Sequence, residues 1–284
     1  MKILPITAIV LTYNEEANLE ACLQSLAGRV ETVLVVDSFS TDRTVDISRS
    51  VGAVVHQHEF STQACQFNWA LDNLKVGSDW VLRLDADERM TDELWGEIEK
   101  NLERAKGDIG GFILNRRLHF MGKWIRHGGC YPIRLLRLFR KGMARSEDRA
   151  MDEHLVLLEG RAVTLKKDFI HENRKSLYWW TDKHNDYSTR EMKIIVGDEK
   201  SGDLRPGVSG GQAAGKRWLK GNLYLRLPLF VRAGLYFSYR YFIRLGFMDG
   251  CPGLVYHFLQ AMWYRFLVDA KVYERTIAER EKSK

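Results

Sequence analysis

The first hundred residues alternate between two periodicities, and that alternation restricts the fold more than any other feature of the chain. Ile6-Thr7-Ala8-Ile9-Val10-Leu11 is a short, nearly continuous apolar run, suited to a strand buried on both faces. It breaks at Thr12-Tyr13-Asn14-Glu15, and a helical pattern follows through Leu19, Cys22, Leu23 and Leu26. A second run, Thr32 to Val36, ends at Asp37, after which Ser40 or Thr41 is expected to cap a helix carrying Val45, Ile47 and Ser48. Ala53-Val54-Val55 reads as a third strand, Thr62 to Leu74 as a helix, and Trp80 to Leu84 as a fourth strand ending at Asp85. Thr91 caps the next helix, with Asp92 and Glu93 in the first turn where the helix dipole favours them. Strands and helices alternating at these lengths predict an α/β fold, a mainly parallel sheet with helices on both faces.

Ligands of such sheets bind beyond the carboxyl ends of the strands. Glu15 follows the first strand, Asp37 the second and Asp85-Ala86-Asp87-Glu88 the fourth, so three acidic turns are expected along one rim. Asp85-Ala86-Asp87 is the only Asp-x-Asp in the chain. Two carboxylates leaving the pleat there can converge on a hard cation, Mg²⁺ or Mn²⁺, with positions left for diphosphate oxygens. A solvated turn capping the following helix is the other reading of this motif taken by itself.

The remaining chain is less regular. Gly110-Gly111-Phe112-Ile113-Leu114 leads into a segment rich in Arg, His and Gly, within which Arg134 to Phe139 resembles an edge strand. Lys175 to Val196 reads as a helix carrying Trp179, Trp180 and Tyr187, and residues 201–215 form a Gly-rich linker. The expected organisation is a catalytic domain over 1–200, that linker, and a helical, amphipathic extension over 216–284. The four cysteines are scattered without paired spacing, which argues against a zinc site or disulfide framework and fits a reducing compartment. No cleavable leader is read at the N-terminus.

The net charge of +6 is unevenly spread. No acid occurs from Leu204 to Met248, where Arg205, Lys216, Arg217, Lys220, Arg226, Arg232, Arg240 and Arg244 are all basic. Such a block points to a polyanion, whether nucleic acid, lipid headgroups or a phosphorylated substrate, and interleaving with Leu, Phe and Tyr favours an anionic membrane surface over a solvated tail; no nucleic-acid partner is expected. The arginines interrupt Leu223 to Phe247 too often for a membrane span, and Cys251 to Tyr264 is too short for one. One or two amphipathic helices lying in the interface, arginines toward headgroups, are expected instead.

Thr12-Tyr13-Asn14-Glu15-Glu16, Asp37-Ser38-Phe39-Ser40-Thr41-Asp42-Arg43-Thr44 and Asp85-Ala86-Asp87, in this order and spacing, resemble family 2 glycosyltransferases of GT-A fold over roughly residues 4 to 175. The resemblance implies an inverting transfer from a nucleotide-activated sugar. Thr12, Tyr13, Asn14, Glu15 and Asp37 would hold base and ribose, and Asp85 and Asp87 would meet the ribose and the metal-diphosphate. It further implies an acidic general base in Met151-Asp152-Glu153-His154, with Glu153 favoured and Asp152 the alternative, and a role for His171 in completing the metal shell. His119-Phe120-Met121-Gly122-Lys123-Trp124-Ile125-Arg126-His127-Gly128-Gly129 and Gly246-Phe247-Met248-Asp249-Gly250-Cys251-Pro252-Gly253 narrow the likeness to the branch of lipopolysaccharide inner-core β-1,4-glucosyltransferases. That branch implies a UDP-sugar donor, a lipid-linked saccharide acceptor and a peripheral place on the cytoplasmic face of the inner membrane. Arg126, His127 and Arg134 are candidates to grip phosphates.

Three other functions fit less well. A nicotinamide oxidoreductase needs a Gly-x-Gly-x-x-Gly turn where this chain has Thr12-Tyr13-Asn14-Glu15. A sugar nucleotidyltransferase would carry a Gly-rich, Arg-Lys loop at the same place. A non-catalytic membrane or polyanion-binding adaptor would have no need of the intact acidic set.

Overall fold

The computed structural model describes residues 2–147, 154–197 and 224–282. These residues form two compact units, one comprising 2–117, 133–147 and 154–174, the other 118–132, 175–197 and 224–282.

The first unit is built on strands β1 (Leu4–Thr12), β2 (Val30–Asp37), β3 (Val54–Gln57), β4 (Trp80–Asp85), β5 (Glu88–Arg89) and β6 (Ile109–Phe120). After β7 (Lys123–Trp124), which belongs to the second unit, come β8 (Ile133–Arg140), β9 (Ala144–Ser146), β10 (Leu155–Leu157) and β11 (Arg161–Glu172). The main sheet runs β3-β2-β1-β4-β8-β6-β11-β5. β1 pairs in parallel with β2 and β4, and β2 with β3. Successive residues of β1 serve opposite faces, as a strand of period two must. Ile6, Ala8 and Val10 enter one core cluster with Leu94, Trp95 and Ile98 of helix α4 (Asp92–Arg104). Ile9 enters another with Phe67 and Ala70 of helix α3 (Gln63–Asn73). Two covered faces explain why the strand runs lack polar alternation. Thr62 and Thr91 cap α3 and α4 by accepting from the amides of Cys65 and Leu94.

Two sequence expectations are corrected here. The stretch Arg134 to Phe139 is no edge strand: β8 lies inside the sheet, antiparallel to both β4 and β6. Its alternation arises because Arg137 points inward to buried carboxylates, so a charged residue occupies a core position. Neither Ser40 nor Thr41 caps the second helix, α2 (Thr44–Ser50), whose cap position is Arg43 with no side-chain cap bond. The Ser40 hydroxyl is engaged by Asp37 instead, and the Thr41 amide by Asn14.

In the second unit, helix α5 (Leu177–Val196) starts at a Ser176 cap and ends at Gly197, whose φ of 88° suits glycine. It packs against the C-terminal helix Tyr264–Lys282 through Glu191, which accepts from the Tyr264 hydroxyl at 2.6 Å and pairs with Arg265. Helix α5 belongs to the same compact unit as the C-terminal helices. The linker 201–215 lies outside the described residues. Between Val231 and Trp263, two short helices, Val231–Ser238 and Gly250–His257, each run on into a π-helical turn. No described helix is long and apolar enough to cross a membrane. Two of the four arginines between Leu223 and Phe247 are buried and do not face outward toward headgroups. Arg232 is buried on Asp269, its Nε donating at 2.8 Å, and Arg240 is buried with its Nε on the Gly128 carbonyl. A buried guanidinium needs such partners, and these two find them inside the unit. Arg226 and Arg244 are exposed.

Candidate active site

Register sets the level of the rim. Thr12 lies opposite Asp37 and Leu11 opposite Asp85, so the carboxyl ends of three parallel strands finish together. The loops leaving them carry the acidic residues.

The first two loops are tied into one piece. Asp37 is fully buried and accepts from the Thr12 hydroxyl at 3.0 Å, from the Ser40 amide at 2.9 Å, from the Ser40 hydroxyl, and from Gln57 Nε2 at 3.4 Å. Four donors occupy the lone pairs of one carboxylate, so the chain itself saturates Asp37. Asn14 adopts a φ of 52° and uses its side-chain oxygen to accept from the Thr41 amide at 2.8 Å, while its own amide donates to Ser40. Asn tolerates this left-handed conformation because its short side chain bonds locally. Glu15 accepts from Asn18 Nδ2 at 2.7 Å, its backbone amide donating to the Thr44 hydroxyl. Tyr13, in contrast, stands 58% exposed over this loop.

The third turn holds the charge. Asp85 accepts from Arg137 at 2.9 Å, and the same guanidinium binds Glu88, whose side chain is fully buried. The other Asp85 oxygen, Oδ1, is buried without a hydrogen-bond partner, 3.9 Å from Arg83. Burial works against the charge of Asp85, but Arg137 and Arg83 prevail and hold its carboxyl below the ordinary range. Glu88 goes the other way: burial, reinforced by the charges of Asp85 and Asp87, raises it despite Arg137. Asp87 projects toward β11, where Oδ2 meets His171 Nε2 at 3.2 Å and accepts from Asn173 Nδ2 at 3.1 Å. The pairing of His171 with Glu88 between β11 and β5 fixes this meeting. His171 Nδ1 is buried without a partner.

Among the described residues no three His, Cys, Asp or Glu side chains converge into a closed metal cage. A cation shared with a diphosphate needs less: one or two carboxylates, the rest being phosphate oxygens and water. Asp87 and His171 supply an adjacent oxygen and nitrogen, and Asp85 Oδ1 remains unbonded, so the donor set suits a hard divalent ion in an open site.

The structure thus brings together Thr12, Asn14, Glu15 and Asp37 in one loop assembly, and Asp85, Asp87 and His171 in another. Glu153 and Asp152 lie outside the described residues. Arg134 is an exposed residue of β8. Sequence reasoning placed Glu88 in the rim turn without giving it a role, and missed Arg137 and Asn173 as parts of the centre. An arginine on an inward strand position is the available signal for Arg137, because such a residue demands a buried acid. Replacing it with Met, of similar length, should cost about 3–5 kcal/mol of stability, since the buried carboxylate of Glu88 and the half-buried one of Asp85 lose their cation. Urea denaturation followed by circular dichroism measures this, with Arg134→Met as an exposed control.

The strands and helices of the first unit make it an α/β protein whose parallel strands end at an arginine-braced acidic centre. The family model described as Glycosyl transferase family 2 matches residues 7–153. An uncharacterized glycosyltransferase of Rickettsia felis is 40% identical over 205 residues, 67% of this chain and 70% of that protein. The chain belongs to glycosyl transferase family 2. It is also similar to the lipopolysaccharide core biosynthesis glycosyltransferase LpsC of Rhizobium meliloti, at 28% identity over 96% of this chain and 93% of LpsC. Shorter matches to glycosyltransferases of other Rickettsia species span 31 to 33% of those proteins. Among solved structures, S. aureus TarS 1-349 in complex with UDP-GlcNAc aligns with a TM-score of 0.48 and 16% identity, over 97% of this chain and 92% of that one.

Proposed function

We propose that this chain is a metal-dependent inverting glycosyltransferase. In this reading it moves a sugar, glucose as the leading candidate, from a UDP-sugar to a lipid-linked saccharide of the lipopolysaccharide core. The observation that carries the reading is the Asp87–His171 contact beside the arginine-held Asp85 at the ends of the parallel strands. The near full-length likeness to LpsC supports the acceptor class.

Thr12, Tyr13, Asn14 and Glu15 form the edge against which the nucleoside lies. Asp37 shapes that edge and reaches a base or ribose by exchanging its longest bond, the one from Gln57. Asp87 and His171, with Asp85, would hold Mn²⁺ or Mg²⁺. Such an ion, when bound, offsets the charge that develops on the departing nucleotide diphosphate. Arg137 keeps Asp85 ionised, and therefore able to serve, at neutral pH. Glu153, or Asp152 in its place, deprotonates the acceptor hydroxyl on the face opposite the leaving group, which inverts the anomeric centre. Incubation of UDP-glucose with a heptose-terminated truncated lipopolysaccharide and Mn²⁺ tests the reading, the linkage of the product being read by NMR.

A place on the cytoplasmic face of the inner membrane belongs to the same proposal. Phe242, Ile243, Phe247 and Met248 are 57, 71, 47 and 55% exposed, and Tyr241 joins Phe242 to Phe247 through ring contacts. Asp249 is the only acid from Tyr224 to Val268 and is buried, while Arg226 and Arg244 are exposed. An exposed apolar cluster with exposed Arg244 in the same segment suits an anionic interface. Flotation should recover the full chain with phosphatidylglycerol-rich vesicles, and Phe242→Ser with Ile243→Ser should abolish that recovery. Equal flotation of both proteins would place the contact elsewhere.

A further inference from the structure

Asn18 opens helix α1 (Leu19–Gln24) from the position at which a side-chain oxygen ordinarily accepts from an amide of the first turn. It makes no such bond. The side chain is committed instead to two partners outside the helix. Its Oδ1 accepts from the Arg174 backbone amide at 2.8 Å, across 156 residues of chain, and its Nδ2 donates to Glu15 Oε2 at 2.7 Å. Asn18 is 3% exposed, so these bonds are made away from water, where a lost partner costs most. Local rules are broken most often where a fold serves a site.

The two partners belong to the two loop assemblies described above, and all of these residues lie in the first unit. Asn18, Asp87 and Arg174 line one small hollow. The loop after β1 is secured by many other bonds. The amides of Asn14, Glu15 and Glu16 donate to the side chains of Ser40, Thr44 and Asp42, and the Glu15 carbonyl accepts from the amides of Asn18 and Leu19 at 3.0 and 2.9 Å.

The turn after β11 is different. His171 is still paired with β5, and the Glu172 amide donates to the Asp87 carbonyl at 2.9 Å. Beyond Glu172 the chain leaves the sheet. Asn173 reaches Asp87 Oδ2 from a backbone held by β11 on one side and by the Arg174–Asn18 bond on the other. Loss of the Asn18 side chain therefore loosens the Asn173 side of the Asp87 carboxylate. The loop after β1 keeps its bonds to the loop after β2.

We infer that Asn18 is a positioning residue for the metal site: it fixes the Asn173-Arg174 turn, so that Asn173 holds the Asp87 carboxylate in the orientation a divalent cation needs. The inference rests on the metal-dependent reading above. Asn18→Ser tests it, because serine is favoured at helix starts but is too short to span to Arg174 and Glu15. With UDP saturating, the Kd for Mn²⁺, read from the free ion by electron paramagnetic resonance, should rise about tenfold, the equivalent of one buried hydrogen bond. UDP affinity in EDTA should stay unchanged, and saturating Mn²⁺ should restore transfer. Asn18→Asp, which keeps an acceptor for the Arg174 amide, should not raise this Kd. Asn173→Ala should raise it, and Asn18→Ser should add little in that background, because the two residues act in series. A folded Asn18→Ser protein with unchanged Mn²⁺ affinity would overturn the inference. So would a rise in Asn18→Asp, a fully additive rise in the double variant, or a matching loss of UDP affinity in EDTA. A wild-type chain that binds no Mn²⁺ in the presence of UDP would overturn the metal-dependent reading itself, and this inference with it.

Discussion

Asp87→Ala is expected to reduce sugar transfer by at least about 10³-fold, the scale of several kcal/mol of charge stabilisation at a metal site. The carboxylate meets His171 and Asn173 and contributes nothing to the apolar core, so the fold should survive its loss. Binding of UDP should lose its dependence on Mn²⁺ in the same variant. Asp85→Ala should be nearly as severe in turnover, and it should also unfold more readily, because Arg137 would then be left with Glu88 alone. EDTA should silence the wild-type enzyme. Steady-state transfer and calorimetric titration of UDP with and without Mn²⁺ measure both effects, and an active Asp87→Ala protein would remove the metal from the account.

Glu153→Gln is expected to lower turnover by about 10²- to 10⁴-fold, the usual contribution of a general base, with donor affinity retained. The amide keeps the size of the side chain and loses the ability to take a proton. The paired variant Asp152→Asn identifies which of the two acids acts. Should only Asp152→Asn show this signature, the roles are exchanged. If neither variant is slow, the acceptor hydroxyl is activated by another group.

How much of this could be read from the chain differs from element to element. The parallel half was legible because its strands are buried on both faces. Ile6 to Leu11 and Thr32 to Val36 show continuous apolar runs that permit few alternatives, and the Thr62 and Thr91 caps follow from local bonding alone. The acidic rim was legible for the same reason, since parallel strands of matched length end together. Arg137 was not. Its partners Asp85 and Glu88 lie 52 and 49 residues away, and nothing local distinguishes an arginine that leaves the sheet from one that enters it. The same ambiguity made β8 resemble an edge strand. Ser40 illustrates a competition between local and distant partners: its oxygen, which a helix cap would use as an acceptor, accepts from the Asn14 amide instead, while its hydroxyl donates to Asp37. Arg240 was expected to face headgroups from an amphipathic helix, whereas the chain turns through a wider π-helical segment there and the guanidinium is directed to the Gly128 carbonyl.

The most direct test of the central claim is transfer from UDP-glucose to heptose-terminated truncated lipopolysaccharide by the full chain, with the anomeric configuration of the product read by NMR. The account predicts a β-linked product that forms with Mn²⁺ or Mg²⁺ and not in EDTA. An α-linked product would contradict inversion, and undiminished transfer in EDTA would contradict the role given to Asp85, Asp87 and His171.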